Sequence, residues 1–295
     1  LKLADGRDST EAAYYLATNR GKKSVTVDIT QAEGSALVQD LARHSDIVVE
    51  NFKVGGLKKY GLDYTSLRAL NPGLIYCSVT GFGQDGPYAS RAGYDFIAEG
   101  MGGLMSVTGE RDDLPGGGPQ KLGVAAADLM TGMYASIAVV AAVTHRLRTG
   151  EGQYIDMALL DSQVAMCSTM NMFYLTTGVP PTRAGNAHQN IVPYQTFATT
   201  DGHVIVAVGN DSQFRLYCQV LGCSELSADP RYATNSARVT HRATLIPVLE
   251  KIMLTRKTHD WVSVLEEKSV PCGPINRMNE VFENPQVQHR EMLRE

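Results

Sequence analysis

The sequence predicts an α/β protein with a doubly wound, Rossmann-like parallel-sheet domain followed by a smaller α+β domain. Three observations carry that prediction. Strand and helix patterns alternate twice before residue 80. A long apolar helix then leads into a further strand near residue 153. Beyond a Pro- and Gly-rich stretch, the pattern changes to a hairpin and several helices.

In chain order, Ser24-Val-Thr-Val-Asp-Ile29 alternates like a short strand. Thr30-Gln-Ala-Glu33 follows as an N-cap with its glutamate three residues on, opening a helix to about Arg43. Asp46 to Glu50 is a short apolar strand run. Leu62 to Leu70 reads as a helix closed by Asn71-Pro-Gly73, and Leu74 to Val79 as the next strand. Parallel strands need crossovers of this length, which is why the alternation points to a parallel sheet. Gly81-Phe-Gly-Gln-Asp-Gly-Pro87 is a turn at the carboxyl end of that strand, where open α/β sheets hold ligands. Val124 to about Arg148 is rich in Ala and Gly with few large aliphatics, so it is expected to be a buried helix and not a membrane span. Gln153 to Met157 is the next strand, leading into a helix near Leu159.

Gly178 to Val192 is enriched in Pro, Gly, Asn, Thr and His, which predicts domains at 1–190 and 191–295. In the second, Gln195 to Thr199 and His203 to Val208 flank Thr200-Asp-Gly202 as a hairpin. Helices are expected at Ser212 to Leu221, Arg238 to Met253 and His259 to Lys268.

With 295 residues, 43% hydrophobic and 20% charged, the chain is long and apolar enough to bury a large core. Its net charge of −4 and scattered basic residues point away from nucleic-acid and membrane-surface partners and toward a small-molecule substrate. The five cysteines are odd in number and lack a CxxC pair, against a disulfide framework or zinc site. A reducing compartment follows, the bacterial cytoplasm or the mitochondrial matrix. No metal site is expected.

Asp128 is the lone charge at the apolar start of the long helix, a costly place for a carboxylate without a partner or a task. Two readings stand side by side: a first-turn residue satisfied by backbone N–H groups, or a nucleophile tuned by its surroundings. His188 sits in a small polar loop, and Lys58 and Lys59 follow Asn51-Phe52. Each is open to a surface reading or to a ligand. Gly116-Gly-Gly118 lacks phosphate-loop spacing.

Several ordered blocks resemble the class III coenzyme A-transferases, the formyl-CoA transferase relatives. They are Asn19 to Asp28, Val49-Glu-Asn-Phe52, Gly81 to Pro87, Arg91-Ala-Gly-Tyr-Asp95, Ala127 to Met133, Arg148 to Gln153 and Val270 to Ile275. The resemblance implies that Asp128 is the nucleophile, working through aspartyl anhydride and aspartyl-CoA thioester intermediates. It also implies that Val27, Asn51, Phe52, Gly56, Lys59 and Tyr60 hold coenzyme A. Tyr94 and Asp95 would flank the acyl group, and Gly185, Asn186 and His188 lie in the segment matching the family's mobile glycine loop. Coenzyme A and its thioesters enter as substrates, with no permanently bound cofactor. An interlocked homodimer is implied as well.

The run His188 to Phe197 and the segment Asn276 to Phe282 look most like the branch acting on succinyl-CoA and glutarate. Arg91 and Arg183 are the cations expected to meet a dicarboxylate. The same fold also serves acyl-CoA racemases, where histidine stands at the Tyr94 position. Tyrosine, with a pKa of about 10, is a poor base at neutral pH, so transfer is favoured over racemisation. Relatives of this kind also start with a further strand and helix and end with a return segment. The sequence is expected to lack both, which leaves an inactive fragment as the third reading.

Overall fold

The computed structural model describes Lys2 and residues 5–294. These form two compact units, one from the described residues up to Gly102 with Ala125–Met166, the other from Gly103–Val124 with Cys167 onward. The chain leaves the first unit at Met166, whereas composition alone marks its change at residue 190. Packing and composition divide the chain by different criteria, and residues 191–294 lie wholly in the second unit.

The first unit is built on a parallel sheet ordered β1 (Ile47–Glu50), β2 (Ile75–Thr80), β3 (Tyr154–Ala158). Ile47 pairs with Ile75, and Tyr76 with Tyr154. Helix Ala126–Thr149 lies in the crossover from β2 to β3 and Tyr64–Leu70 in that from β1 to β2, the connections that parallel pairing needs, while Ala32–Arg43, which leads into β1, packs beside Tyr64–Leu70. Leu57, Leu62, Leu67, Leu74 and Tyr76 close a core beneath them, and the buried Tyr76 hydroxyl donates to the Leu62 carbonyl at 2.9 Å. Gly152 is fixed by the sheet, because a Cβ there would meet the Leu74 carbonyl oxygen at 2.0 Å.

Three sequence expectations are corrected here. Residues 22–28 are irregular and largely exposed, because their alternating side chains find no strand to pair with. Thr30 does not cap the next helix. Its hydroxyl donates to the Asp28 carboxylate at 2.6 Å, and the cap position falls to Gln31, whose side chain makes no capping bond. Finally, the helix Ala126–Thr149 is not buried all round. Ala127, Thr131, Ala135 and Ala142 are covered, while Leu129, Met133, Ile137 and Val140 are each at least 60% exposed. By length and composition this helix could also cross a membrane. Its small residues pack one side closely, and its larger ones form a second stripe, three or four residues apart, that stays exposed among the described residues.

The second unit carries an antiparallel sheet ordered β4 (Tyr194–Ala198), β5 (His203–Ala207), β6 (Cys272–Pro274). Helices Asp211–Leu221, Arg242–Met253 and Thr258–Glu267 pack on it around Phe197, Val204, Val206, Phe214, Leu249 and Trp261. The expected helix from Arg238 to Met253 is two helices, Asn235–Thr240 and Arg242–Met253, broken at His241. At the fold level, the chain is a mixed α/β protein with one parallel and one antiparallel sheet.

Candidate active site

A cavity of about 690 Å³ lies at the carboxyl end of the first unit's sheet, a size suited to a small-molecule ligand. Strand ends and the first turn of the long helix build its wall. Asn51 and Phe52 enter from the end of β1, Gly81 from the end of β2, Arg91 to Asp95 from the next loop, and Asp128 and Thr131 from the helix Ala126–Thr149.

Gly81 and Gly93 bring two of these segments together. A Cβ on Gly93 would lie 2.2 Å from the Gly81 Cα, and one on Gly81 would lie 2.4 Å from the Gly93 Cα. Only two bare backbones can approach so closely. The contact sets the loop carrying Tyr94 and Asp95 against the turn after β2. Asp156 pins the far side of that turn, its carboxylate accepting the Gln84 N–H at 3.0 Å.

Glu50 does the same for β1. One carboxylate oxygen accepts the Phe52 N–H at 2.8 Å, and the other accepts a short hydrogen bond from the Ser78 hydroxyl on β2. The Asn51-Phe52 corner is thereby tied to the neighbouring strand. Sequence reading gave Glu50 no role, although an acid ending a strand just before Asn51-Phe52 was the available signal.

Asp128 occupies the first turn of its helix, where Ala125 is the cap and makes no side-chain bond. No donor among the described residues reaches the Asp128 carboxylate. Its own backbone N–H is taken instead by Asp95, at 3.1 Å. The reading of Asp128 as a self-satisfied cap therefore finds no hydrogen bond here. Solvent reaches Asp128, yet the wall behind it strips part of its hydration. That loss first, and the charge of Asp95 second, raise its pKa above the ordinary carboxylate value. The helix N-terminus pulls the other way, and the net direction is up. Asp95 thus both anchors the first turn and repels negative charge from its neighbour.

This gives a first expected outcome. Asp95→Asn keeps an oxygen for the Asp128 N–H but removes the repelling charge, so the Asp128 pKa should fall. A reaction needing ionised Asp128 loses rate as pH drops through that pKa. The acid limb of the pH–rate profile should therefore move to lower pH in the variant. A limb that stays in place or moves upward would exclude this electrostatic coupling.

Of the residues singled out from sequence, Asn51, Phe52, Tyr94, Asp95 and Asp128 line the cavity together. Val27, Gly56, Lys59 and Tyr60 belong to the same unit but do not line it. Val27 lies in the irregular stretch 22–28, and Gly56 in a turn closed by its N–H on the Lys53 carbonyl at 2.8 Å. The Lys59 ammonium lies 4.6 Å from the centre of the Tyr60 ring. Gly185, Asn186 and His188 belong to the second unit. Gly185 has φ +60 and donates to the Gly109 carbonyl at 3.1 Å, and His188 Nδ1 accepts the Asn190 N–H at 3.0 Å.

The two arginines differ in state. Arg183 in the second unit is ion-paired with Asp112 and donates to the Ser106 carbonyl at 3.2 Å. Arg91 lines the cavity, lies over the rings of Tyr88 and Phe82 at 4.5 and 5.2 Å, and has no carboxylate partner among the described residues. Also among the described residues, no group of three or more His, Cys, Asp or Glu side chains could hold a metal ion.

Comparison with known proteins gives consistent matches. The model of CoA-transferase family III matches residues 3–295. The chain is 54% identical over 290 residues to the succinate–glutarate CoA-transferase of Agrobacterium fabrum, covering 98% of this chain and 71% of the relative. It is 42% identical to the human succinyl-CoA:glutarate CoA-transferase, covering 97% of this chain and 64% of that one. In crystal structures, a CaiB/BaiF family protein from Brucella suis superposes with a TM-score of 0.87 at 51% identity, covering 99% of this chain and 75% of its own.

Proposed function

Because the chain belongs to CoA-transferase family III, we propose that it transfers coenzyme A from succinyl-CoA to a dicarboxylic acid such as glutarate, with Asp128 as nucleophile. The observation carrying this reading is the Asp128 carboxylate itself. It faces a ligand-sized cavity, holds no hydrogen bond from the described residues, and is destabilised in its charged form. A hydrated carboxylate is a weak nucleophile, and partial desolvation sharpens it.

The chemistry balances in four acyl transfers. An Asp128 oxygen attacks the thioester carbonyl, the C–S bond breaks, and a mixed anhydride forms as coenzyme A leaves as thiolate. The thiolate attacks the aspartyl carbonyl, releasing succinate and leaving an aspartyl-CoA thioester. The acceptor carboxylate attacks that thioester, expelling thiolate and forming a second anhydride. Thiolate then attacks the acceptor's acyl carbon, giving the new thioester and freeing Asp128. No proton need be stored between steps, and no resident cofactor is required.

In this account coenzyme A runs past Asn51 and Phe52, with Val27, Gly56, Lys59 and Tyr60 along its length. Tyr94 and Asp95 border the acyl group. Gly185, Asn186 and His188 serve the acceptor side. Arg91 receives the distal carboxylate, since it is the arginine of the two without an ion-pair partner and a planar guanidinium suits a carboxylate. A screen of donor and acceptor pairs tests the assignment, read as CoA-ester exchange. Succinyl-CoA with glutarate should lead, and Arg91→Ala should raise the glutarate KM by roughly tenfold while sparing monocarboxylates. Equal loss for both acid classes would remove Arg91 from recognition. Exchange with no dicarboxylate at all would overturn the substrate assignment.

A homodimer belongs to the same proposal, as does completion of the parallel sheet into a doubly wound, interlocked fold. Support comes from the uncovered apolar stripe Leu129, Met133, Ile137 and Val140, which a second copy would bury. Sedimentation at micromolar concentration should give the mass of two chains, and a monomer would refute it.

A further inference from the structure

In the second unit, the segment from Gly185 to Val192 is tied down from both sides. Its amides are taken by main-chain carbonyls: Gly185 donates to the Gly109 carbonyl at 3.1 Å, Ala187 to Ala184 at 3.2 Å and His188 to Tyr194 at 2.8 Å. The Thr196 N–H reaches the Asn186 carbonyl at 3.3 Å, and Ala187 bridges Gln195 in antiparallel fashion, so the segment continues the edge of β4.

Its carbonyls are taken from elsewhere, by side chains at or near the starts of two helices. Arg242 Nη2 donates to the His188 and Gln189 carbonyls at 2.6 and 2.8 Å. Asn235 donates to the Asn190 carbonyl at 2.8 Å and accepts the Val192 N–H at 3.1 Å. The buried Arg238 donates from Nε to the Val192 carbonyl at 2.6 Å, while its far end is ion-paired with Asp211 at 2.9 Å. Arg242 differs from Arg238 in having no carboxylate partner among the described residues. Its guanidinium is committed to main-chain oxygens alone.

We infer that Gly185 to Val192 is a fixed wall and not a mobile cover, and that Arg242 is the positioning residue that sets the peptide carrying His188, and with it the directions of Asn186 and His188. A guanidinium can hold two adjacent carbonyls in one plane, which a lysine ammonium cannot do with the same rigidity. Removing it leaves the exposed His188 carbonyl and the partly buried Gln189 carbonyl without that donor, a loss that loosens the wall locally without emptying the core. For the reaction, the inference rests on the CoA-transfer reading above. A rigid wall presenting Asn186 and His188 would bind the acceptor in one pose.

Hydrogen–deuterium exchange on the whole chain reads the wall directly. In the unmodified protein, the amides of Gly185, His188 and Val192 should be protected like those of the hairpin β4–β5. Exchange at open-loop rates would overturn the inference outright. Arg242→Ala should speed exchange from Gly185 to Asn190 by about tenfold while Phe197 and Val204 keep their protection, the size expected for one charged hydrogen-bonding group. Unchanged exchange would remove Arg242 from its role.

Kinetically, Arg242→Ala should raise the glutarate KM and lower the rate of transfer to glutarate, with formation of the Asp128 adduct little affected. Arg242→Lys should recover part of both. A purely structural lesion would lower all steps together, and that result would refute the positioning role. If the alanine variant fails to fold, Asn235→Ala reads the same wall through exchange at Asn190 and Val192. Absence of any aspartyl adduct in the unmodified protein would defeat the CoA-transfer reading while leaving the exchange result to decide the wall.

Discussion

Asp128→Asn should abolish CoA transfer, with a loss of at least about 10⁴-fold in kcat, the scale seen when a covalent nucleophile is removed. The amide is the same size as the carboxylate but cannot form an anhydride. The loss should be chemical and not structural. The carboxylate makes no hydrogen bond with the described residues, and the one bond at this position uses the backbone N–H, which asparagine retains. Stability should in fact move the other way. The native pKa of Asp128 is raised, so its ionised form opposes folding. That penalty is fully present above the native pKa and vanishes below the unfolded-state value. Asp128→Asn should therefore melt at or above the temperature of the unmodified protein at neutral pH, with the difference closing as pH falls through the carboxylate range. A variant that is both inactive and markedly less stable would place Asp128 in the structure instead of the chemistry.

The second large effect is expected at Gly93. Adding a methyl group puts a carbon 2.2 Å from the Gly81 Cα, well inside contact distance, and both partners are backbone. The loop bearing Tyr94 and Asp95 must then move away from the turn after β2. Overpacking of this kind costs about 1–3 kcal/mol. The catalytic cost should be larger, because Asp95 holds the first turn of the Asp128 helix and would be carried along. Displacement of about 1 Å at a positioned group is worth roughly 100-fold in rate. Gly93→Ala should thus reduce transfer about 100-fold while the protein still folds. Gly123→Ala, where an added Cβ meets no heavy atom within 4 Å, is the methyl-sized control and should be near neutral in stability. Near-normal activity in Gly93→Ala would show that the two backbones can separate without consequence.

These two positions mark what could be read from sequence and what could not. Asp128 drew notice as a single charge at the start of an apolar helix, a pattern that left a cap and a nucleophile both open until the family resemblance favoured the second. The Gly81 contact with Gly93 was not legible. Each glycine looks like an ordinary turn residue, and only the fold brings their backbones together. The β1, β2 and β3 strands and the β4–β5 hairpin were visible as local patterns that the fold also pairs. Ser24 to Ile29 shows the same alternation, yet it forms no strand, because a strand is defined by a partner that alternation does not supply. The short helices Ala13–Thr18, Asp95–Met101 and Leu104–Val107 were missed, being too brief for a helical period to emerge. Arg238 and Arg242 were passed over for a related reason. Their tasks are to hold main-chain atoms of distant segments, and nothing in their own neighbourhoods announces it.

The central claim is that Asp128 becomes covalently acylated, and trapping tests it most directly. The protein is incubated with succinyl-CoA, quenched in parallel with hydroxylamine and with borohydride, digested, and mapped by mass spectrometry. The account predicts a single modified position, Asp128, dependent on succinyl-CoA and absent from Asp128→Asn. Undiminished CoA exchange with Asp128 unmodified, or modification at another carboxylate, would contradict it.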